Sequence, residues 1–426
     1  MSWLGYVSTF IAIAWLLFSA GQAVLVLSYC RCLSRDDSQD DHDEAPYCPP
    51  AAVILCLRGA DPSLSRCLDG LANQEYATYR LYVVVDDSQD PAISEFEAAK
   101  SEFATEPVLL SIPEISKSRS LKCSALLTAF EQIKSDAFDP QVIALVDADI
   151  ECDPYWLADL VTPLKDNSIG AASGNRWFDP LEPTVGSNVR QIWNAAAVVQ
   201  MYHYNIAWGG SLAFRSELIE NKQFVDPLKE GFCEDTGMHG VLSKLGLKLL
   251  RVPNLIMNCH EATTIWDSRS FINRQLFNAR LYHQKWPFVA AHGIAGLLLN
   301  VMTALLVIGS LCVGSLYWFA PLAAWLFYQV CNLSLLAAIT SVNKKIVDQR
   351  SHGPRPGKWS FTKYVLGVLA TQVLHGIVVV RAMTQKEVTW RGIRYAVTHG
   401  TDVRMLGYHP FSTSSSDHES SELSIE

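Results

Sequence analysis

Two long stretches without charge limit the fold of this 426-residue chain more than any other feature. Residues 3–30 contain no charged side chain, and residues 288–342 contain none apart from the titratable His292. A stretch of the first length crosses the roughly 30 Å hydrocarbon core of a bilayer with some tilt, and the second is long enough for two crossings. The sequence therefore predicts an integral membrane protein.

The first apolar stretch has two interpretations, a cleaved signal peptide and a permanent anchor. It lacks a basic leading region, and its apolar core is longer than that of a signal peptide. We therefore predict an uncleaved transmembrane anchor over residues 1–31.

Charge and cysteine content exclude two classes of function. The net charge of −9 argues against nucleic-acid binding, which needs a basic surface. The 11 cysteines include no Cys-x-x-Cys pair and no Cys/His spacing typical of a zinc site. Reduced thiols facing a cytosol are the simplest interpretation.

Between the apolar stretches, buried-strand patterns alternate with helical patterns. Strands are predicted at residues 51–59, 80–90, 107–114 and 142–150, with helical patterns such as SLKCSALLTAFEQIKS between them. This alternation predicts an α/β fold with a doubly wound, mostly parallel sheet. Ligands of such sheets bind beyond the carboxyl ends of the strands.

Two of the predicted strands end in pairs of carboxylates, Asp86 with Asp87 and Asp147 with Asp149. Two carboxylates one residue apart at a strand end suit Mg²⁺ or Mn²⁺, hard cations that prefer oxygen ligands and often share them with phosphates. The cation would bridge a diphosphate and offset the charge on the leaving group, which fits nucleotide-sugar chemistry. The alternative is an exposed acidic turn followed by a helix cap at Asp153.

Further motifs accompany these acids: VVVDDSQDPA, KSRSLKCSALL, LVDADIECDPYWL, GGSLAFR, CEDTGMHG, FINRQLFNARLYHQKW and VTWRGIRY. In this order the chain resembles the inverting glycosyltransferases of the family two type, which have a GT-A fold. Within that superfamily it is most similar to the ceramide glucosyltransferases and their bacterial relatives. The resemblance runs from Val83 to Tyr395 and covers nearly all of the expected folded chain.

The resemblance implies a role for each of the early motifs. Asp87, with Asp86, would recognise the uridine or ribose. Asp149 would bind the metal ion, and Asp147 would lie beside it near the ribose. Lys122 falls where the family often has a lysine close to the donor, although an exposed lysine at a helix start is the commoner case.

The acid pair Glu234-Asp235 follows the Gly209-Gly210 segment. The resemblance implies that Asp235 is the catalytic base, with Glu234 beside it. An inverting transfer is one displacement at the anomeric carbon, so it needs one base for the proton of the acceptor hydroxyl. Alternatively, the two acids cap the helix that follows. The two glycines allow close approach to a sugar or acceptor, or form a turn.

The sequence departs from the family pattern before the C-terminal apolar region. The family usually has Gln or Arg, two further residues and then Arg-Trp, whereas this chain reads RQLFNARLYHQKW. Arg274 and Gln275 match the start, and Arg280 is a candidate for binding the diphosphate. A basic helix face against lipid headgroups is the alternative for these three residues. Residues 389–395 would either close on the diphosphate or lie at the membrane interface.

A basic loop sets the predicted orientation in the membrane. The positive-inside rule places this loop and the catalytic region in the cytosol. Its basic residues are Lys344, Lys345, Arg350, Arg355, Lys358 and Lys363. The last apolar segment, residues 364–380, is at the short limit for a span, so an interfacial or re-entrant path is equally expected.

These observations divide the chain into an anchor (1–31), an acidic linker (32–48), a GT-A-like catalytic unit (49–286), a transmembrane region (287–383), a basic interfacial segment (384–410) and a disordered tail (411–426). The overall hypothesis is a membrane enzyme that transfers a hexose from a UDP-sugar to a lipid hydroxyl, with inversion and a divalent cation. Glucose and ceramide follow from the resemblance. A polysaccharide synthase and a non-catalytic membrane scaffold are the rival interpretations.

Overall fold

The structure, a computed structural model, describes residues 3–34, 47–181, 183–350 and 360–411. Residues 35–46 of the predicted acidic linker lie outside the described residues, as do residues 412–426 of the predicted disordered tail. Part of the predicted basic loop, residues 351–359, also lies outside them.

A seven-stranded sheet forms the centre of an α/β unit. Its strands lie in the order β3-β2-β1-β4-β6-β5-β7, and among them β6 alone runs antiparallel to its neighbours. The predicted α/β fold with a mostly parallel sheet is confirmed. In chain order the strands are β1 (Ala51–Leu57), β2 (Tyr79–Val85), β3 (Val108–Ser111), β4 (Val142–Val146), β5 (Ile169–Phe178), β6 (Ser211–Arg215) and β7 (Lys248–Cys259).

The strand order reverses at β1, because β2 and β4 lie on opposite sides of it. Where strand order reverses in such a sheet, a crevice opens at the carboxyl ends of the strands. Leu57 and Val146 end the two strands that border this crevice. The residues that follow them, Arg58 and Asp147, therefore meet at its floor.

Helices cover both faces of the sheet. In β1, Ile54 packs on the side of α4 (Leu121–Ser135), and Val53 packs on the side of α2 (Leu64–Ala72). Nearly continuous apolar strands are expected where both faces are covered in this way. Shorter elements are α3 (Ala92–Ala99), α5 (Trp156–Val161), α7 (Lys222–Lys229), α8 (Met238–Lys244) and 3-10 turns at Lys100–Glu102, Thr162–Lys165 and Ser216–Glu220.

Two longer helices, α6 (Val185–Tyr204) and α9 (Ile265–Tyr282), lie between the sheet and the apolar helices. Both begin at a threonine that accepts a backbone N–H through its side chain, Thr184 for α6 and Thr264 for α9. In α9 the carboxylate of Asp267 accepts the backbone N–H of Thr264, which completes a capping box. Local sequence therefore fixes where both helices start.

Four described helices are long and apolar enough to cross a membrane: α1 (Trp3–Leu33), α10 (Trp286–Cys312), α11 (Phe319–Arg350) and α12 (Phe361–Thr384). The predicted N-terminal and C-terminal apolar helices are thereby confirmed. The Trp15 indole of α1 donates to Thr303 of α10 at 2.9 Å, and Tyr29 donates to Asn343 of α11 at 3.1 Å. Helix α12 has 24 residues and extends beyond the predicted apolar segment at both ends.

Residues after α12 form a second, antiparallel sheet in the order β10-β9-β8. Its strands are β8 (Glu387–Trp390), β9 (Ile393–Val397) and β10 (Val403–Met405). The buried side chains of Val388, Ile393 and Tyr395 belong to the same apolar core as α4. The segment predicted to be basic and interfacial therefore contains a small sheet that packs on the α/β unit.

Candidate active site

The crevice beyond β1 and β4 is a cavity lined by charged side chains. Strand ends supply three of its carboxylates, and the loop before α8 supplies two more. Helix α4 supplies a lysine, and α9 supplies an arginine and a glutamine. The sequence-predicted residues that line this cavity are Asp86, Lys122, Asp147, Asp149, Glu234, Asp235, Arg274 and Gln275.

Asp147 lies between two cations. Its Oδ1 accepts a hydrogen bond from Lys122 Nζ at 2.7 Å, and its Oδ2 accepts one from Arg176 at 2.8 Å. Burial raises the pKa of this carboxyl, but Lys122 and Arg176 outweigh burial and lower the pKa to about 2. Asp147 is therefore ionised at neutral pH, with both oxygens engaged.

One carboxylate oxygen of Asp149 remains available to a ligand. Arg176 lies 3.3 Å from its Oδ2, whereas Oδ1 is buried and has no hydrogen-bond partner within the described part of the chain. Potential ligand atoms of Asp149, Cys259 and Glu261 lie within 4.8 Å of one another. A buried, unsatisfied carboxylate oxygen beside a second carboxylate fits a hard divalent cation, for which the Cys259 sulfur is a poor ligand.

Glu234 pairs with the same lysine as Asp147. Lys122 Nζ lies 2.8 Å from Glu234 Oε1, and both side chains are largely buried. Burial raises the pKa of Glu234 despite the nearby ammonium. Gly209 packs against this carboxylate so closely that a Cβ there would overlap Oε1. Glu234 is thus held between Lys122 and the backbone at Gly209.

Asp235, which also lines the cavity, keeps hydrogen-bond acceptor capacity. The Gly209 N–H donates to its Oδ2 at 2.6 Å, while Thr236 and Cys233 donate to its Oδ1 at 2.8 and 2.9 Å. Burial raises the pKa of Cys233 well above its usual value, so the thiol remains a donor. A carboxylate accepts about four hydrogen bonds, so Oδ2 keeps a free site.

Gly210 is the second glycine of this segment. A Cβ at this position would overlap the Trp208 ring and meet the Asp147 carboxylate. The pair Gly209-Gly210 is therefore required by close approach of the backbone to Asp147, Glu234 and Asp235, which a tight turn alone would not explain.

The two acids after β2 differ in position. Asp86 is buried and forms an ion pair with Arg58, and burial raises its pKa despite that arginine. Its Oδ1 has no partner in the described residues, so it is available to a donor group of a ligand. Asp87 instead accepts the N–H of Gln89 at 2.8 Å and lies outside the cavity lining.

The three predicted residues of α9, Arg274, Gln275 and Arg280, also differ in position. Arg274 places its guanidinium 5.1 Å from the centre of the Trp390 ring, and burial lowers its pKa to about 10, so it stays charged. Gln275 lines the cavity beside it. Arg280 donates to two backbone carbonyls at the end of α12, at 3.1 and 2.7 Å. Arg280 thus holds α12 and does not line the cavity predicted to take the diphosphate.

The turn between β8 and β9 closes one wall of the cavity. Trp390 and Arg391 line it, and Arg391 forms an ion pair with Asp61 at 3.0 Å. Arg391 has a φ of 47°, a left-handed conformation uncommon for a residue with a side chain. Arg394 points away and pairs with Glu387 on the surface.

Sequence reasoning missed two arginines of the site. Arg58 follows β1 just as Asp147 follows β4, so the strand-end rule that selected the aspartates could have selected it. Arg176 lies within β5 and gives no such signal. Its guanidinium bonds to Asp147, approaches Asp149 and lies 4.7 Å from the centre of the Trp208 ring.

Comparison with solved structures gives distant matches. A mannosyltransferase from Pyrobaculum calidifontis in complex with GDP-Man and Mn²⁺ has 18% sequence identity, covers 80% of this chain and 100% of its own, and has a TM-score of 0.49. Glucosyl-3-phosphoglycerate synthase from Mycobacterium tuberculosis, with Mn²⁺, UDP and glucosyl-3-phosphoglycerate, has 15% identity, coverages of 54% and 80%, and a TM-score of 0.35. A search of curated proteins finds no match.

The family comparison covers most of the molecule. The family described as glycosyl transferase family 21 matches residues 11–403, from within α1 to the first residue of β10. The matched range includes every residue that lines the charged cavity. The predicted enzyme class is thereby confirmed, and the chain belongs to glycosyl transferase family 21.

Proposed function

We propose that this enzyme transfers a hexose from a UDP-sugar to a hydroxyl group of a membrane lipid, with inversion at the anomeric carbon. One observation carries the proposal: Asp235 lies where the charged cavity meets an apolar cavity that leads toward the membrane helices. A sugar diphosphate fits the first environment, and a lipid fits the second.

The charged cavity offers what a nucleotide diphosphate needs. Lys122, Arg176, Arg274 and Arg391 line it, and two aspartates of the strand end balance part of their charge. Asp149, with Glu261 nearby, would hold Mn²⁺ or Mg²⁺, which when bound offsets the charge that develops on the leaving diphosphate. The guanidinium groups add directional donors for phosphate oxygens.

Asp235 is the catalytic base in this proposal. Its carboxylate takes the proton of the acceptor hydroxyl as the oxygen attacks the anomeric carbon and the bond to the diphosphate breaks. The N–H of Gly209 and the hydroxyl of Thr236 hold the carboxylate in position. Glu234 is less suited to this role, because Lys122 already occupies its Oε1. Its contribution is to position Lys122.

Glucose and ceramide are the proposed donor sugar and acceptor. They rest on the resemblance of the acidic motifs to those of the ceramide glucosyltransferases, and the apolar helices at both ends of the chain support a lipid acceptor. A polymer synthase is less well supported, because extrusion needs a channel across the bilayer and the described chain offers few crossing helices.

We also propose that α12 lies in the plane of the membrane, with the α/β unit on the cytosolic side. Lys363 near its start contacts the Pro183 carbonyl at 3.5 Å, and Arg280 binds its last turn. Because both ends are tied to the α/β unit, the helix starts and finishes on one side. Its exposed apolar stripe would then face the lipid: Leu366, Leu369, Val373, Ile377 and Val380.

Epitope tags test this orientation. One tag is inserted after residue 355 and another is appended after residue 426, and antibodies are applied to sealed vesicles. Both tags should be reached from the same side. Tags on opposite sides would mean that α12 crosses the bilayer.

The transfer itself is tested with purified protein, Mn²⁺, labelled UDP-glucose or UDP-galactose, and either ceramide or diacylglycerol. A single labelled glycolipid is expected from the wild type and none from Asp149→Ala. A labelled polymer, or no labelled lipid with any donor and acceptor pair, would overturn the proposal.

A further inference from the structure

A second cavity begins beside Asp235 and runs away from the charged cavity, between α6 and α9. The two cavities share Arg176, Trp208, Asp235 and Gln275. The other walls of the second cavity are mostly apolar, and include Trp193, Ala197, Phe271, Leu276, Ala279 and Val289. An apolar space therefore opens directly at the carboxylate proposed as the base.

A third cavity continues this space into the apolar helices. It shares Trp193, Ala197, Gln200 and Leu276 with the second cavity. Its remaining walls come from α1, α6, α10, α11 and α12, with Tyr328 among them. We call the second and third cavities together the α6 channel, because three residues of α6 line both.

Small side chains leave the channel open along α6. Trp193, Ala197 and Gln200 recur at helical spacing, so they lie on one face of the helix. Ala196 is next to this face, is exposed and lines the outer part of the channel. A larger side chain at position 196 or 197 would project into the channel.

Polar groups at the outer end of the channel satisfy one another. The amide groups of Gln22 and Gln200 contact the His292 ring at 3.3 and 3.4 Å, and the Trp193 indole donates to His375 at 3.1 Å. Polar residues among membrane helices are costly unless they are paired in this way. Their mutual pairing leaves the middle of the channel suited to a hydrocarbon chain.

Gln275 is the polar group at the inner end. It lines both the charged cavity and the channel, and it has no hydrogen-bond partner in the described part of the chain. Its amide can both donate and accept. A hydroxyl bound within about 3 Å of Asp235 would place the adjoining part of the acceptor near this side chain.

We propose that one hydrocarbon chain of the lipid acceptor lies in the α6 channel and that Gln275 binds the polar linkage next to the accepting hydroxyl. This inference rests on the proposed function and specifies its acceptor site. An amide linkage offers an N–H and a C=O, which match both ends of the Gln275 amide, whereas an ester offers acceptors alone. The site therefore favours amide-linked lipids over ester-linked ones.

A different cavity reaches the acid pair from another direction. It is lined by Cys233, Glu234, His239, Gly240 and Tyr282. It borders Glu234, which is paired with Lys122, and it does not include Asp235. This cavity supplies a control position, because a Cβ at Gly240 would meet only one neighbour, at an ordinary distance of 3.7 Å.

Chain-length dependence tests the channel. The acceptors are ceramides with an N-acyl chain of six or sixteen carbons and, separately, with a short or long base chain. Ala197→Phe and Ala196→Phe should lower the ratio of long-chain to short-chain kcat/KM by at least about tenfold. The phenyl ring would occupy the channel and exclude methylene groups of the long chain. Gly240→Phe is the control and should leave the ratio unchanged. Hydrolysis of the UDP-sugar without acceptor reports that each variant folds and binds donor.

The linkage is tested by Gln275→Leu. The wild type should prefer ceramide to a diacylglycerol of equal chain length, and the variant should lose roughly tenfold of that preference, about one hydrogen bond to the linkage. A variant that loses activity equally with both acceptors would contradict this role.

The failures are distinguishable. A wild type that glycosylates no lipid defeats the proposed function. If the wild type glycosylates lipid, and Ala196→Phe and Ala197→Phe keep the original chain-length ratio, the channel proposal alone fails. Loss of long-chain transfer in Gly240→Phe would place the acceptor in the other cavity and would also overturn the inference.

Discussion

The two sides of Asp235 are built on opposite principles. On the donor side, buried lysine and arginine groups are balanced by carboxylates at distances of 2.7 to 3.3 Å. On the acceptor side, apolar walls from α6, α9 and α10 enclose a channel whose polar groups at the outer end pair among themselves. Charge is therefore concentrated where a diphosphate would bind, and it is removed where a lipid chain would lie.

The difference also concerns rigidity. Most donor-side residues lie in strands, in helices or directly after a strand, so their positions are fixed by backbone hydrogen bonds. The acceptor side is a gap between helices, and its width is set by side-chain volume. Substitutions on the donor side should therefore alter charge balance and UDP binding, whereas those on the acceptor side should alter the choice of lipid.

The largest effect should come from the junction of the two sides. Asp235→Asn keeps an oxygen for the Gly209 N–H but removes the proposed base, so transfer should fall by about 10²- to 10⁴-fold. UDP binding, measured by calorimetry, should be unchanged. Glu234→Gln is the matched control, and a larger loss of transfer in that variant would exchange the two roles.

Lys122→Met should strongly destabilise the fold around the charged cavity. The lysine bridges Asp147 and Glu234, and its removal leaves the buried Glu234 without a cation and Asp147 with Arg176 alone, at a cost of about 3–5 kcal/mol in folding free energy. A large fall in melting temperature in detergent checks this. Adding Glu234→Gln should restore part of it, and no recovery in the double variant would contradict the shared pairing.

Arg176→Ala should strengthen Mn²⁺ binding. Arg176 supplies positive charge beside Asp147 and Asp149. Without it, Mn²⁺ should bind roughly tenfold more tightly, worth about 1.4 kcal/mol. The variant should therefore gain more in melting temperature from Mn²⁺ than the wild type gains. An equal or smaller gain would argue against a cation at Asp149.

The smallest difference should separate two arginines of the C-terminal sheet. Arg391 lines the charged cavity, whereas Arg394 is largely exposed on the surface. Arg391→Ala should raise the KM for UDP-sugar several-fold, about 1 kcal/mol, through loss of a charged donor. Arg394→Ala should have no measurable effect on KM. Equal effects of the two substitutions on KM would mean that Arg391 makes no specific contact with the donor.

Some of the site could be predicted because its signals are local. Asp86, Asp147 and Asp149 follow apolar strands directly, and the carboxyl ends of such strands meet at one edge of a sheet. Glu234 and Asp235 were found through their motif. All five line the cavity.

Other parts depended on packing that no short stretch reveals. Arg176 reaches the aspartates because β5 continues past the start of β6, its antiparallel partner in the sheet. Arg280 has the same charge as Arg274 and lies on the same helix, yet it binds the end of α12. Asp87 turns into its own loop, whereas its neighbour Asp86 faces the cavity.

The sequence by itself determined the membrane helices, the mostly parallel sheet and the carboxylates at its edge, because charge-free length and strand alternation are properties of continuous stretches. Only the tertiary structure decided which carboxylate keeps a free oxygen, which arginines face the cavity and where an apolar channel opens. Those features depend on distances of a few ångströms between residues that are far apart in the chain, and such distances are set by how strands and helices pack.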